Sequence, residues 1–262
     1  SGNAEENSSL PVKKWLNVSF VSHPTGELAL DIFRLSDSKK RPAVLCLHGG
    51  FWEKGSKKFM HPLAEDLVRK GYIAVCSNYR LTDAAPAPAQ LHDVFSAIHF
   101  LRENASDYGI DPGKVGVTGS SAGGYLAVMA AVFDSGNKRT RPNAAIGMGA
   151  QTDLTSPHIQ NSTAPNWSKF MGGLYKEVPQ NYLKQSPIAH LTEDDPPIAI
   201  ICGEYDKPST RADAFRQKAL RLGVPTTLTE ILGAPHGLLK AAEHRKIAVE
   251  AIDNFLKVHL GK

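Results

Sequence analysis

A chain of 262 residues with 42% hydrophobic and 21% charged side chains can bury a sizeable core, which excludes a disordered protein and favours one large α/β unit. Its 30 basic and 26 acidic residues leave a net charge of +4, scattered in short groups such as Lys39-Lys40-Arg41 and Lys138-Arg139, so nucleic-acid binding through a clustered basic face is not expected. No apolar run approaches the roughly 20 residues of a membrane span, and no His-Glu-x-x-His or Cys-x-x-Cys pattern offers a metal site.

The polar start, Ser1 to Ser9, has neither an initiator methionine nor an apolar signal segment. It reads as the stub left by a removed signal peptide or by a tag, with a lean toward an exported protein. From there, short apolar runs alternate with longer amphipathic stretches. Leu28–Phe33, Ala43–Leu47, Ile73–Ser77, Val115–Thr118, Ala144–Met148, Pro197–Cys202 and Thr226–Ile231 read as strands, several of them apolar throughout. Such runs suit a parallel sheet covered on both faces. Pro62–Lys70, Ala89–Asn104, Ala122–Phe133, Arg211–Leu222 and Ala241–Leu260 have helical spacing, with Gly71 and Gly223 at two helix ends. The alternation predicts a doubly wound, mostly parallel α/β sheet in one domain over residues 1–262. Cys46, Cys76 and Cys202 each lie within a strand-like run and read as buried thiols.

Asp153 to Leu191 breaks the rhythm. It has no clear strand, and Pro157, Pro165, Pro179 and Pro187 punctuate pieces bearing Trp167, Phe170, Tyr175 and Tyr182. A connection of that length inside a compact domain predicts a small cap over a site, residues 153–191, against a surface excursion with its own minor core.

Gly119-Ser120-Ser121-Ala122-Gly123 fits G-x-S-x-G between a strand and a helix rich in small residues. A strand-to-helix turn that sharp leaves no room for flanking side chains and lifts the serine hydroxyl above the sheet. Shifting the frame by one residue fails, since Thr118 and Ala122 are not glycine, so Ser121 is the candidate nucleophile. His48-Gly49-Gly50-Phe51-Trp52 directly follows a strand, where main-chain N–H groups can face a developing oxyanion. Gly50, Phe51 and the amide of Ala122 are the candidate donors, Trp52 and Ser120 candidate substrate contacts, and His48 a hydrogen-bonder within the loop. Gly50 to Lys57 is a near miss for a phosphate-binding loop, with Ser56 at the lysine position and bulky Phe51 and Trp52 in the cradle.

A base and an acid must follow the serine in the order acid, histidine. His236 lies in the loop Gly233-Ala-Pro-His-Gly237 between the last strand and the final helix, whereas His92, His99, His244 and His259 lie on amphipathic helices and His158 and His190 in the insertion. Asp206 ends the loop Cys202-Gly-Glu-Tyr-Asp206 and is the preferred acid, with Asp153 the serious rival and Glu204 the weaker one. Serine attack, an acyl-enzyme and hydrolysis by water require no metal and no organic cofactor.

With these residues in place the chain resembles the esterase/lipase group of α/β-hydrolases related to hormone-sensitive lipase, and more closely its bacterial carbohydrate-esterase-like branch of acetyl-xylan and feruloyl esterases. Tyr79-Arg-Leu81, Pro88-Ala-Gln90 with Asp93-Val94, Tyr108-Gly-Ile-Asp-Pro112, Ser186-Pro-Ile188, Asp195-Pro-Pro197 and His236-Gly237 follow that group's blocks in order. Lys207-Pro-Ser-Thr210 departs from the usual Val-Pro after the acid, and Ser120 replaces the aspartate of the lipase-like branch. The resemblance implies hydrolysis of short acyl esters, such as acetyl or feruloyl groups on a small molecule or carbohydrate. Arylformamidase or serine peptidase chemistry on the same scaffold, and a catalytically inactive binding protein, are the competing readings.

Overall fold

The computed structural model describes residue 7 and residues 9–261. Most of the polar start, read as the stub of a signal peptide or of a tag, lies outside the described residues.

Eight strands form one sheet in the order β1-β2-β4-β3-β5-β6-β7-β8. They are β1 (Val12–His23), β2 (Gly26–Leu35), β3 (Arg41–Leu47), β4 (Ile73–Ser77), β5 (Ile110–Ser120), β6 (Ala144–Met148), β7 (Ile198–Gly203) and β8 (Thr226–Ile231). β1 and β2 join antiparallel, β2 pairs antiparallel with β4, and every later pairing is parallel. The mostly parallel, doubly wound sheet expected from the apolar runs is the fold observed.

Strand residues alternate between two cores, as the period of two demands. Along β3, Ala43, Leu45 and Leu47 enter one apolar cluster while Val44 and Cys46 enter the other. The first cluster is covered by the helices Ala89–Glu103 and Ala122–Val132, the second by His61–Arg69 and Ala242–Leu260. Ala122–Val132 is buried along its whole length, which is why its sequence has no polar face. All three cysteines are free and buried, and burial pushes the Cys202 thiol up to about 12.

Two parts of the chain differ from expectation. β1 has no counterpart among the predicted strands, because it is an edge strand of half-buried and exposed residues whose register breaks between Trp15 and Val18, at the left-handed Asn17 (φ 57°). In residues 153–191 the prolines do not interrupt structure; each opens a short helix, at Pro157–Gln160, Pro165–Met171, Pro179–Lys184 and Pro187–His190. A proline at the first helical position gives up only an N–H that lacks an intrahelical partner anyway. Ile159, Trp167, Phe170, Met171 and Tyr182 from these helices are buried in the first apolar cluster, so the segment has no core of its own.

Candidate active site

The carboxyl ends of β3, β5, β6, β7 and β8 lie together, and the loops leaving them converge. Ser121 sits between β5 and the helix Ala122–Val132 with φ 55° and ψ −115°, a conformation that costs a non-glycine residue about 1–3 kcal/mol. The turn is enforced by its glycines. A Cβ on Gly119 would overlap the Gly123 backbone, one on Gly123 would overlap the Leu47 carbonyl, and one on Gly124 would lie 2.7 Å from the Met148 oxygen.

Above this turn the Ser121 hydroxyl Oγ lies 2.7 Å from His236 Nε2, and His236 Nδ1 lies 2.7 Å from Asp206 Oδ2. Asp206 is buried while the imidazole is partly open to solvent. With Nδ1–H donated to the carboxylate, Nε2 is left to accept the hydroxyl proton. Asp153 is engaged elsewhere: its Oδ1 accepts from the Thr155 amide at 2.8 Å and hydroxyl at 2.7 Å. Glu204 accepts from the Gly233 amide at 2.7 Å and so braces the histidine loop.

Two residues that motif reading passed over complete the arrangement. Gly149, just after β6, has φ 58°, and a Cβ there would lie 3.0 Å from Asp206 Oδ2 and 3.2 Å from His236 Cε1. Arg211 lies on a π-helical turn, Ser209–Asp213, and its Nε meets Asp206 Oδ1 at 2.9 Å while its Nη1 donates to the Gly149 carbonyl at 3.2 Å. Neither residue belongs to a pattern. The one available signal for Gly149 is a glycine at the end of an apolar strand.

On the β3 side, Gly50, Phe51 and Trp52 are all left-handed, with φ of 121°, 53° and 61°. The Gly50 carbonyl closes the loop by accepting from the Glu53 and Lys54 amides, each at 3.1 Å. The amides of Gly50 and Phe51 donate to no acceptor among the described residues, and Ala122, at a helix start, has no intrahelical acceptor. Gly49 presses on the serine turn, since a Cβ on it would lie 2.9 Å from the Ser120 oxygen. His48 is buried, donates from Nδ1 to the Gly49 carbonyl of its own loop (2.7 Å), and stacks on Tyr79 at 4.3 Å. Burial lowers its pKa, so it stays a neutral loop anchor. Lys57, at the loop's exit, is not free for a phosphate: its ammonium is buried against Asp31 Oδ1 (2.7 Å) and Asn17 Oδ1 (2.8 Å).

A cavity of about 210 Å³ opens at Ser121 and His236, walled by Phe51, Trp52, Ala122, Tyr125, Gly149 and Trp167. Trp52 is buried, stacked on Phe170 at 3.8 Å and edge-on to Tyr125 at 5.3 Å, whereas Phe51 stands half exposed at the mouth. Ser120 does not line this cavity; of the two expected substrate contacts only Trp52 does. Gln151, His158 and Arg211 form its far wall and are shared with an adjoining hollow of about 270 Å³ that also includes Tyr205, Lys207 and Thr210. Among the described residues no group of three or more His, Cys, Asp or Glu side chains could hold a metal, and no helix is long and apolar enough to cross a membrane.

Comparison with known proteins agrees with this architecture. Residues 30–218 match the family described as BD-FAE. Esterase LipQ of Mycobacterium tuberculosis is 31% identical over 90% of this chain and 60% of its own length, and the probable carboxylic ester hydrolase LipM of the same organism is 30% identical over 84% and 56%. The chain thus spans a little over half the length of these relatives. Among solved structures, a truncated carbohydrate esterase from gut microbiota superimposes with a TM-score of 0.80 at 25% identity, covering 94% of this chain and 96% of that one. The match over residues 30–218 is most of the chain, and the chain belongs to the BD-FAE family, within the α/β-hydrolase esterase group.

Proposed function

We propose that this protein is a serine carboxylic-ester hydrolase acting on short acyl esters through Ser121, His236 and Asp206. The observation that carries the reading is the unbroken Ser121–His236–Asp206 chain, with both links at 2.7 Å. His236 Nε2 takes the hydroxyl proton as Ser121 Oγ attacks the ester carbonyl, and the Asp206 carboxylate steadies the imidazolium that forms. The amides of Gly50, Phe51 and Ala122 receive the negative charge on the carbonyl oxygen. The imidazolium returns its proton to the departing alcohol, and water, deprotonated by the same histidine, releases the acid from the acyl-serine.

The aromatic wall of Trp52, Trp167 and Tyr125 supports a small acyl group, because little space lies beyond it. The likeness to a carbohydrate esterase supports a sugar on the alcohol side. In this reading residues 153–191 are a fixed cap that contributes His158 and Trp167 to the walls. Purified protein should hydrolyse p-nitrophenyl acetate and be labelled by a fluorophosphonate at Ser121. Cleavage of N-formylkynurenine or an aminoacyl anilide in preference to the acetate would move the reading to an amidase. Failure of both turnover and labelling would leave a binding protein.

A further inference from the structure

The hollow beside the triad has a charge balance that ester hydrolysis by itself does not require. Its lining includes Lys207 and Arg211, while the single carboxylate there, Asp206, has both oxygens taken, Oδ1 by Arg211 Nε and Oδ2 by His236 Nδ1. Two cations, of which Arg211 is held in place, against one carboxylate leave the hollow one unit positive on a chain whose charges are otherwise scattered.

Arg211 is held rigid by its two contacts with Asp206 and one with Gly149, and these use Nε and Nη1. Its Nη2 has no partner among the described residues. Lys207 is left-handed (φ 50°) and exposed, and its ammonium likewise has no partner among the described residues. Holding Asp206 accounts for Arg211 but not for Lys207. Tyr205, 72% exposed, adds a bare aromatic face to the same hollow.

We propose that this hollow is a subsite for a carboxylate carried by the ester itself, so that the favoured substrates are anionic esters with the acidic group a few atoms from the scissile carbonyl. The proposal rests on the ester-hydrolase reading and deepens it. A planar carboxylate can accept from Arg211 Nη2 and Lys207 Nζ together, and the prefixed guanidinium loses little freedom on binding. Because Arg211 and His158 wall both cavities, a group seated there stays within one substrate's length of Ser121.

The carboxylate could lie on either side of the ester, and paired substrates separate the two. An acetylated methyl hexuronoside against the matching acetylated methyl hexoside tests the alcohol side; mono-p-nitrophenyl glutarate against p-nitrophenyl valerate tests the acyl side. In one pair the acidic member should lead by about tenfold in kcat/KM at low salt. That lead should shrink severalfold at about 0.5 M salt. Lys207→Gln should shrink it as well while leaving p-nitrophenyl acetate turnover unchanged. Neutral esters equal to or better than acidic ones in both pairs, or a preference untouched by Lys207→Gln, would overturn the subsite and leave the hydrolase standing. No turnover of any ester would overturn both.

Discussion

A single atom of Arg211, Nε, meets Asp206 at two of its oxygens, the side-chain Oδ1 at 2.9 Å and the main-chain oxygen at 3.0 Å. The carboxylate is therefore fixed in position, with its second oxygen 2.7 Å from His236 Nδ1.

This fixes the expected outcome for the two candidate acids. Asp206→Asn should lower kcat by about 10⁴, because an amide no longer holds the required imidazole tautomer or steadies the imidazolium. Asp153→Asn should cost less than about tenfold, since Asp153 caps its own turn through Thr155. Steady-state kinetics on folded, purified variants rank the two, and the reverse order would move the acid to Asp153.

Ser121 carries strain together with its chemistry. Ser121→Ala should abolish turnover by about 10⁴-fold or more with the fold intact. Ser121→Gly should be equally inactive, yet it removes the Cβ from a backbone at φ 55° and ψ −115°. Its unfolding free energy should exceed that of Ser121→Ala by about 1 kcal/mol, measurable by urea denaturation. Equal stabilities would mean that the turn is not strained.

Gly149→Ala places a methyl 3.0 Å from Asp206 Oδ2 and 3.2 Å from His236 Nδ1 on a left-handed backbone. A displacement of a few tenths of an ångström in that pair should lower kcat by about 10- to 100-fold with KM nearly constant. An unchanged kcat would show that the pair tolerates the shift.

Acyl preference should fall steeply from acetyl to octanoyl esters. Trp167→Ala, which clears one wall of the cavity, should raise the octanoyl-to-acetyl ratio of kcat/KM at a stability cost of about 3 kcal/mol. A wild-type protein that turns over octanoyl esters faster than acetyl esters would contradict the aromatic wall as an acyl limit.

The Asp31–Lys57–His61 cluster ties the β3 loop's exit to β2. Burial raises the Asp31 carboxyl, but hydrogen bonds from Lys57, the Asn17 amide and His61 outweigh it and hold the pKa below its usual value. The unfolded chain then binds the proton more readily, so this contribution is present above the unfolded carboxyl range of about 3.9 and is lost as pH falls through the lower folded value. Asp31→Asn should lose about 3 kcal/mol at neutral pH. The gap to wild type should narrow below about pH 4 in denaturation at a series of pH values. A gap constant with pH would rule out the ionised carboxylate as its source.

What could be read in advance follows the range of the forces involved. The central strands are apolar on both faces and bounded by turns, so β3, β4, β6 and β7 are visible as short runs. Ser121 and His236 stand out because a sharp turn and a strand-ending loop each require local glycines and prolines. β1 is hidden because an edge strand buries only part of one face and its bulges break the alternation. Proline identity marks Pro157, Pro165, Pro179 and Pro187, but whether a proline stops one element or opens the next depends on packing by Trp167, Phe170 and Tyr182. The choice between Asp153 and Asp206 depends on where two loops meet, and the Arg211–Asp206 contact is made by side-chain torsions around a π-helical turn, which no spacing encodes.

Two of the four proline-initiated helices of residues 153–191, Pro165–Met171 and Pro179–Lys184, place Trp167, Phe170 and Tyr182 in the same apolar cluster as the helix that follows Ser121. To swing outward they would have to expose Trp167, Phe170 and Tyr182 at once, which amounts to breaking the molecule's main core. Amide protons of Pro165–Met171 should accordingly exchange with solvent nearly as slowly as those of β6. The rim of the cavity differs from this packed wall: there the ring of Phe51 is half exposed, a side chain and not a lid.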